Sequence, residues 1–175
     1  GDTRTLDSSN YTVSGTVATV IDGNITSNIS LAGSGGITVN SGSGKQLTIN
    51  ANNVDAALTN NGKVILNGGT LGNTISGAGA TEITGNVINN STITQSTGGI
   101  QISSGSLTTN AGNVTGTITN NVVDGYILNG GTNDNTITGS EGRTMVDAGT
   151  NTVTNTGNIQ QALRVKTGTF DNTTG

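Results

Sequence analysis

Val64-Ile-Leu-Asn-Gly-Gly-Thr-Leu-Gly-Asn-Thr-Ile-Ser-Gly77 recurs, at an offset of 62, as Tyr126-Ile-Leu-Asn-Gly-Gly-Thr-Asn-Asp-Asn-Thr-Ile-Thr-Gly139. A match of this length points to a repeat architecture, and it decides how the rest of the chain is read. Outward from it, Leu47-Thr-Ile-Asn-Ala-Asn-Asn-Val54 matches Leu107-Thr-Thr-Asn-Ala-Gly-Asn-Val114 at an offset of 60, and Leu58-Thr-Asn-Asn61 matches Ile118-Thr-Asn-Asn121 at the same offset. Gly35-Gly-Ile-Thr-Val39 matches Gly98-Gly-Ile-Gln-Ile102 at an offset of 63. Gly23-Asn-Ile25 returns as Gly85-Asn-Val87 and again as Gly157-Asn-Ile159. The chain is thus one repeat domain over 1–175, with units at about 23–84 and 85–156 and a partial third at 157–175. The second unit carries an insertion near 140–150, around Glu141, Arg143 and Asp147. Residues 1–22 precede the repeat and are read as an N-terminal cap or a donated strand.

Within each unit, short runs alternate apolar and small polar residues: Ile37-Thr-Val39, Leu47-Thr-Ile49, Ile100-Gln-Ile102, Thr117-Ile-Thr119. Alternation is the signature of a strand with one buried face. Gly and Asn flank these runs and tolerate the positive φ of tight corners. Helical periodicity is missing, and helix-favouring stretches are too. Very short strands, frequent corners and a repeat predict an all-β chain, a β-solenoid of about 8–9 short coils. Each unit would make roughly three coils of about 20 residues. At a strand spacing of about 4.8 Å the rod would be about 40 Å long. Ile, Val, Leu and Ala would stack inside, with Thr and Asn facing out or at corners, where aligned Asn side chains can bond from coil to coil. The alternative is an antiparallel β-sandwich, for which Asn61-Gly62 and Asp124-Gly125 would supply hairpin turns; the repeat favours the solenoid.

Composition narrows function. Of 175 residues, 102 are Gly, Asn, Thr or Ser, and there is no Cys, His, Pro or Trp. The usual Zn, haem and iron–sulfur ligand sets are therefore missing, as are Ser-His-Asp and Cys-His constellations. The six basic residues are scattered in a chain of pI about 4.3, which argues against nucleic acid. No apolar run reaches the length of a transmembrane segment. The chain begins with Gly and is read as a mature chain or an excised fragment.

Several features are candidate sites. Gly130-Gly-Thr-Asn-Asp-Asn-Thr-Ile137 resembles a calcium-binding Gly-rich turn, but one Gly is missing and the equivalent turn at Gly68–Ile75 lacks the Asp, so no metal is assigned. The triplets at Thr92/Thr94, Thr117/Thr119 and Thr136/Thr138 have the form of ice-ordering ranks, but their spacing is irregular. Asp124 and Asp147, 23 apart, could sit on neighbouring coils as a carboxylate pair, yet solvated corner charges are the simpler reading. The seven Asn-x-Ser/Thr sequons, at Asn10, Asn24, Asn28, Asn89, Asn90, Asn113 and Asn172, match the number expected by chance. The stretch 83–123 has no charge at all; the low charge of the whole chain is the simpler reading, and a neutral contact face the alternative.

The Gly-Asn-Val/Ile, Ile-Leu-Asn-Gly-Gly-Thr and Asn-Thr-Ile-Ser/Thr-Gly motifs resemble those of the β-helical passenger regions of autotransporter surface proteins, especially the rickettsial surface-antigen type, over about residues 20–160. The resemblance implies a right-handed parallel β-helix, export through an outer membrane, and adhesion to host or neighbouring cells. It implies no catalytic motif. The expectation is a non-enzymatic adhesin or structural spacer, extracellular or at a bacterial cell surface, without cofactor. Its partner would be a cell-surface receptor or further copies of itself; the alternative function is a subunit of a self-assembling extracellular filament.

Overall fold

Three faces wind about one apolar axis in the computed structural model, which describes residues 3–7 and 16–173. Every strand pair among them is parallel. The molecule is a β-solenoid, and the antiparallel sandwich is ruled out. The only helical elements among the described residues are two single 3₁₀ turns, Ala51–Asn53 and Ala111–Asn113.

The first face is an unbroken nine-stranded sheet: Thr3–Leu6, Asn24–Ser27, Gln46–Ile49, Lys63–Leu66, Ala80–Ile83, Ile100–Ile102, Ile118–Asn120, Thr136–Thr138 and Asn158–Ile159. Nine rungs enclose about eight coils. The second face carries Leu31–Ala32, Val54–Asp55, Gly69–Leu71, Asn86–Asn89, Ser106–Thr109 and Val123–Leu128. The third carries Thr19–Ile21, Ile37–Val39, Leu58–Asn60, Ile75–Gly77, Ile93–Gln95, Val114–Thr115 and Gly131–Asn133. Two long strands, Arg143–Asn155 and Ala162–Asn172, then bend around the corner and serve both the second and the third face.

The alternation read from the sequence sorts side chains as expected. One inward ladder on the first face runs Leu47, Val64, Thr81, Ile100, Ile118, Ile137, and its neighbour runs Ile49, Leu66, Ile83, Ile102, Asn120. Leu66 and Leu128 are fully buried, while Ile65 and Ile127 between the inward positions point out. The core is lined by Ile, Val and Leu, with Tyr126 its largest side chain.

Coil length is less even than the repeat alone suggests. Along the first face, Ile25, Leu47, Val64, Thr81, Ile100, Ile118, Ile137 and Ile159 succeed one another at sequence steps of 22, 17, 17, 19, 18, 19 and 22. This changes what the repeat means. Asn24–Ser27 is the third strand of the chain and its repeat partner Asn86–Asn89 is the thirteenth; Lys63–Leu66 is the ninth and Val123–Leu128 the nineteenth. The unit is ten strands, and with three strands per coil it is three and one-third coils, not three. Each strand therefore reappears one face further round: first-face Val64 becomes second-face Tyr126, and third-face Leu58 becomes first-face Ile118. The insertion near 140–150 forms most of the strand Arg143–Asn155, which adds one further face. That returns Asn158–Ile159 to the first face, where Asn24–Ser27 lies.

Polar interlocks recur with the repeat. Asn50 caps the first 3₁₀ turn, its side chain accepting from the Asn52 amide, and Asn110 does the same for the second with Gly112. At each of these turns the ladder to the next coil is interrupted, and an Asn amide bridges the gap: Asn73 Nδ2 donates to the Val54 carbonyl at 3.0 Å, and Asn135 Nδ2 to the Val114 carbonyl at 2.8 Å. Aligned Asn side chains bond from coil to coil where three strands end at one corner, but they face inward: Asn133 donates to Asn155 and Asn155 to Asn172, each at 2.8 Å, and the first two are buried. The segment 1–22 contributes Thr3–Leu6 and Thr19–Ile21 as ordinary parallel rungs. The remainder of its expected cap or donated-strand role, and the sequon at Asn10, fall on residues 8–15, outside the described residues.

Candidate interaction surfaces

At the Gly-Gly-Thr corners, the second of which resembles a calcium turn, the space is filled by protein. A Cβ placed on Gly69 would overlap Oδ1 of Asn50, and one on Gly131 would overlap Oδ1 of Asn110. Both glycines also have positive φ, +93° and +83°. The Gly-Gly corner is therefore the seat for the capping Asn of the coil below, and its glycines are required by close approach. Asp134 follows the second corner, and among the described residues no three acidic side chains gather to hold an ion.

Asp124 and Asp147 do lie on neighbouring coils, but each is held by its own cations. Asp124 has φ +55° in its Asp-Gly turn and receives Arg143 in a bidentate pair, Nε at 2.7 Å and an Nη at 2.8 Å. Arg164, from two coils up, adds a third contact at 2.9 Å. Asp147 accepts from Lys166 at 2.8 Å and from the Thr167 hydroxyl at 2.6 Å. Hydrogen bonding from Arg143 holds the Asp124 carboxyl below the usual range, and bonding from Lys166 and Thr167 does so for Asp147. Two further staples join Asp22 to Lys45 and Glu82 to Lys63; both acids are likewise lowered, Asp22 mainly by its bond from Asn40 and Glu82 by its bond from Lys63. Of the five ion pairs among the described residues, four join side chains on successive coils, and the fifth, Arg164 with Asp124, spans two. Charges that look dispersed in the sequence are coil-to-coil staples.

The charge-free stretch 83–123 forms a belt rather than one contact face. It contributes Asn86–Asn89 and Ser106–Thr109 to the second face, Ile93–Gln95 and Val114–Thr115 to the third, and Ile100–Ile102 and Ile118–Asn120 to the first, two full turns of the rod. The belt shows hydroxyls and amides, with Ile88 47% exposed among them. The Thr triplets do not align into one rank: Thr94 is on the third face, and Thr119 and Thr138 are adjacent rungs of the first. Sequence reading missed the apolar positions in the outward column of the second face, Ile88, Ile127 and the nearly covered Met145, because their neighbours across the ladder lie a whole coil away in the chain. No helix among the described residues is long and apolar enough to cross a membrane.

No family model, no curated protein and no solved structure matches the chain.

Proposed function

We propose that this chain is a non-enzymatic, extracellular segment of a bacterial surface adhesin, a stiff spacer that presents binding surface in the manner of an autotransporter passenger. The observation that carries the reading is the partition of charge: ion-paired coils on either side and, between them, a two-turn belt of hydroxyls and amides. A stiff parallel ladder holds such a belt at a fixed distance from its anchor. The test is binding of the immobilised protein to host or neighbouring cells. Gln101→Glu together with Thr119→Glu, both outward in the belt, should weaken adhesion, whereas Glu141→Gln outside the belt should not. Equal adhesion by all three proteins, or none by the parent, would refute the reading.

A filament subunit is the second reading, and one feature favours it. Among the described residues the strand Ala162–Asn172 pairs on one side only, with Arg143–Asn155, and its Leu163, Val165 and Phe170 are partly or largely exposed. Such an edge accepts a further coil from another copy. Electron microscopy separates the two: fibres favour the filament, and a monodisperse short rod favours the adhesin.

A further inference from the structure

The outward column of the second face has a pattern that neither reading above requires. Its rungs run Thr70, Ile88, Thr108, Ile127, Met145 and Arg164 in direct ladder register. On the rung before Thr70 the ladder is interrupted: Asn52 lies beside Thr70, its Oδ1 accepting from the Thr70 amide at 2.8 Å, and the outward Asp55 stands farther along the chain on the same face. With Thr108 as centre, Ile88 and Ile127 lie one rung to either side, and Thr70 and Met145 two. At three rungs the ends differ in sign: Asp55 at one, and Arg164 with its neighbour Lys166 at the other. Asp55 takes part in none of the five ion pairs among the described residues. At the other end three cations, Arg143, Arg164 and Lys166, share two carboxylates, Asp124 and Asp147, which leaves a surplus positive charge.

We propose that this face is a self-association surface on which a second copy lies antiparallel, related by a two-fold axis through the Thr108 rung. Rotation about that axis sets Ile88 of each copy against Ile127 of the other, and brings the end that carries Asp55 against the end that carries Arg164 and Lys166. A parallel arrangement would oppose Asp55 to Asp55 and Arg164 to Arg164, so the charges select the antiparallel one. The strip is six rung spacings, about 29 Å long, and about 12 Å wide given the short strands, on the order of 350 Å² per copy. That is under half the area of a standard interface, which predicts weak, concentration-dependent pairing. Register and charge here are independent of any adhesive role, so self-association and adhesion stand or fall separately.

The chain has no Cys, so single-cysteine variants report the geometry directly. Thr108→Cys places its thiols on the two-fold axis and should give a disulfide-linked dimer under mild oxidation. Thr70→Cys places its thiols four rungs apart, about 19 Å, beyond disulfide reach, and should stay at background. Mixing Ile88→Cys with Ile127→Cys should give the mixed dimer. Sedimentation equilibrium of the unmodified protein should show association that weakens at least tenfold in Ile88→Lys. Exchanging the end charges, Asp55→Arg paired with Arg164→Asp, should leave the parent's association largely intact, whereas Asp55→Arg alone should weaken it. Circular dichroism on each variant verifies the fold. A Thr70→Cys dimer as abundant as that of Thr108→Cys, or association unchanged in Ile88→Lys, would overturn the proposal, as would a monomer at millimolar concentration.

Discussion

At the scale of single residues, neighbours in sequence have opposite fates. Leu66→Asp would put an unpaired charge into the inward ladder between Ile49 and Ile83, and a loss of several kcal/mol is expected. Ile65→Asp, one position away and pointing out, should cost less than about 1 kcal/mol. Thermal melts of the two variants check the register. Gly131→Ala should cost about 1–3 kcal/mol, because its Cβ meets the Asn110 side chain and its φ is +83°. Asn110→Gly in that background should recover part of the loss by removing the clashing amide. Since that amide occupies the corner, excess chelator or millimolar calcium should leave the melting midpoint unchanged; a chelator-induced drop of ten degrees that disappears in Asp134→Ala would make the corner an ion site. The Tyr126 hydroxyl is buried with no hydrogen-bond partner among the described residues, and burial raises its pKa. Tyr126→Phe should therefore stabilise, by on the order of 1 kcal/mol. Alternation made it legible that one of each adjacent pair, Ile65/Leu66 and Ile127/Leu128, faces inward; which one was not, because Val64-Ile-Leu66 is apolar throughout. The buried Asn60, Gln95 and Asn133 were not legible either, because an amide is admitted to this core only by a partner a coil or more away: Asn60 donates to Gln95 at 2.7 Å, reaching past Gly77 on the rung between.

At the scale of elements, the staples make the coils on either side of the uncharged belt sensitive to acid. Asp22, Glu82, Asp124 and Asp147 are all held below their ordinary values of 3.8 and 4.5 by bonds to neighbouring coils. A carboxyl lowered by folding stabilises fully above its unfolded value and loses that contribution as pH falls through the folded one. The melting midpoint should therefore be flat from neutrality to about pH 5 and fall below about pH 4. Asp124→Asn should start lower and show a shallower acid slope. Because the pairs are partly exposed to solvent, molar salt should reduce the difference between the two proteins. None of these pairs was legible in the sequence, where the charges looked scattered. A staple joins residues a whole coil apart in the chain, and the varying coil length hides even that period.

At the scale of the molecule, circular dichroism should show β-structure with almost no helix, since two 3₁₀ turns are the only helical elements described; helix above about one fifth would contradict the fold. The class of the fold was legible because repetition and alternation are both properties of the string. How far the unit turns was not. A repeat of this length can be three long coils or three and one-third shorter ones, and only the placement of Val64 and Tyr126 on different faces decides.

That third of a turn sets a rule for how such a gene can grow. Copying or losing one whole unit would change the rod by about 16 Å and swing everything beyond it by a third of a circle, like a dial clicking one stop. Only a gain or loss of three units would restore the original heading of whatever the far end carries. The extra face contributed by Arg143–Asn155 is a second, simpler way to turn the dial. A short insertion re-aims the distal end while lengthening the rod by only about a third of one rung spacing, roughly 1.6 Å.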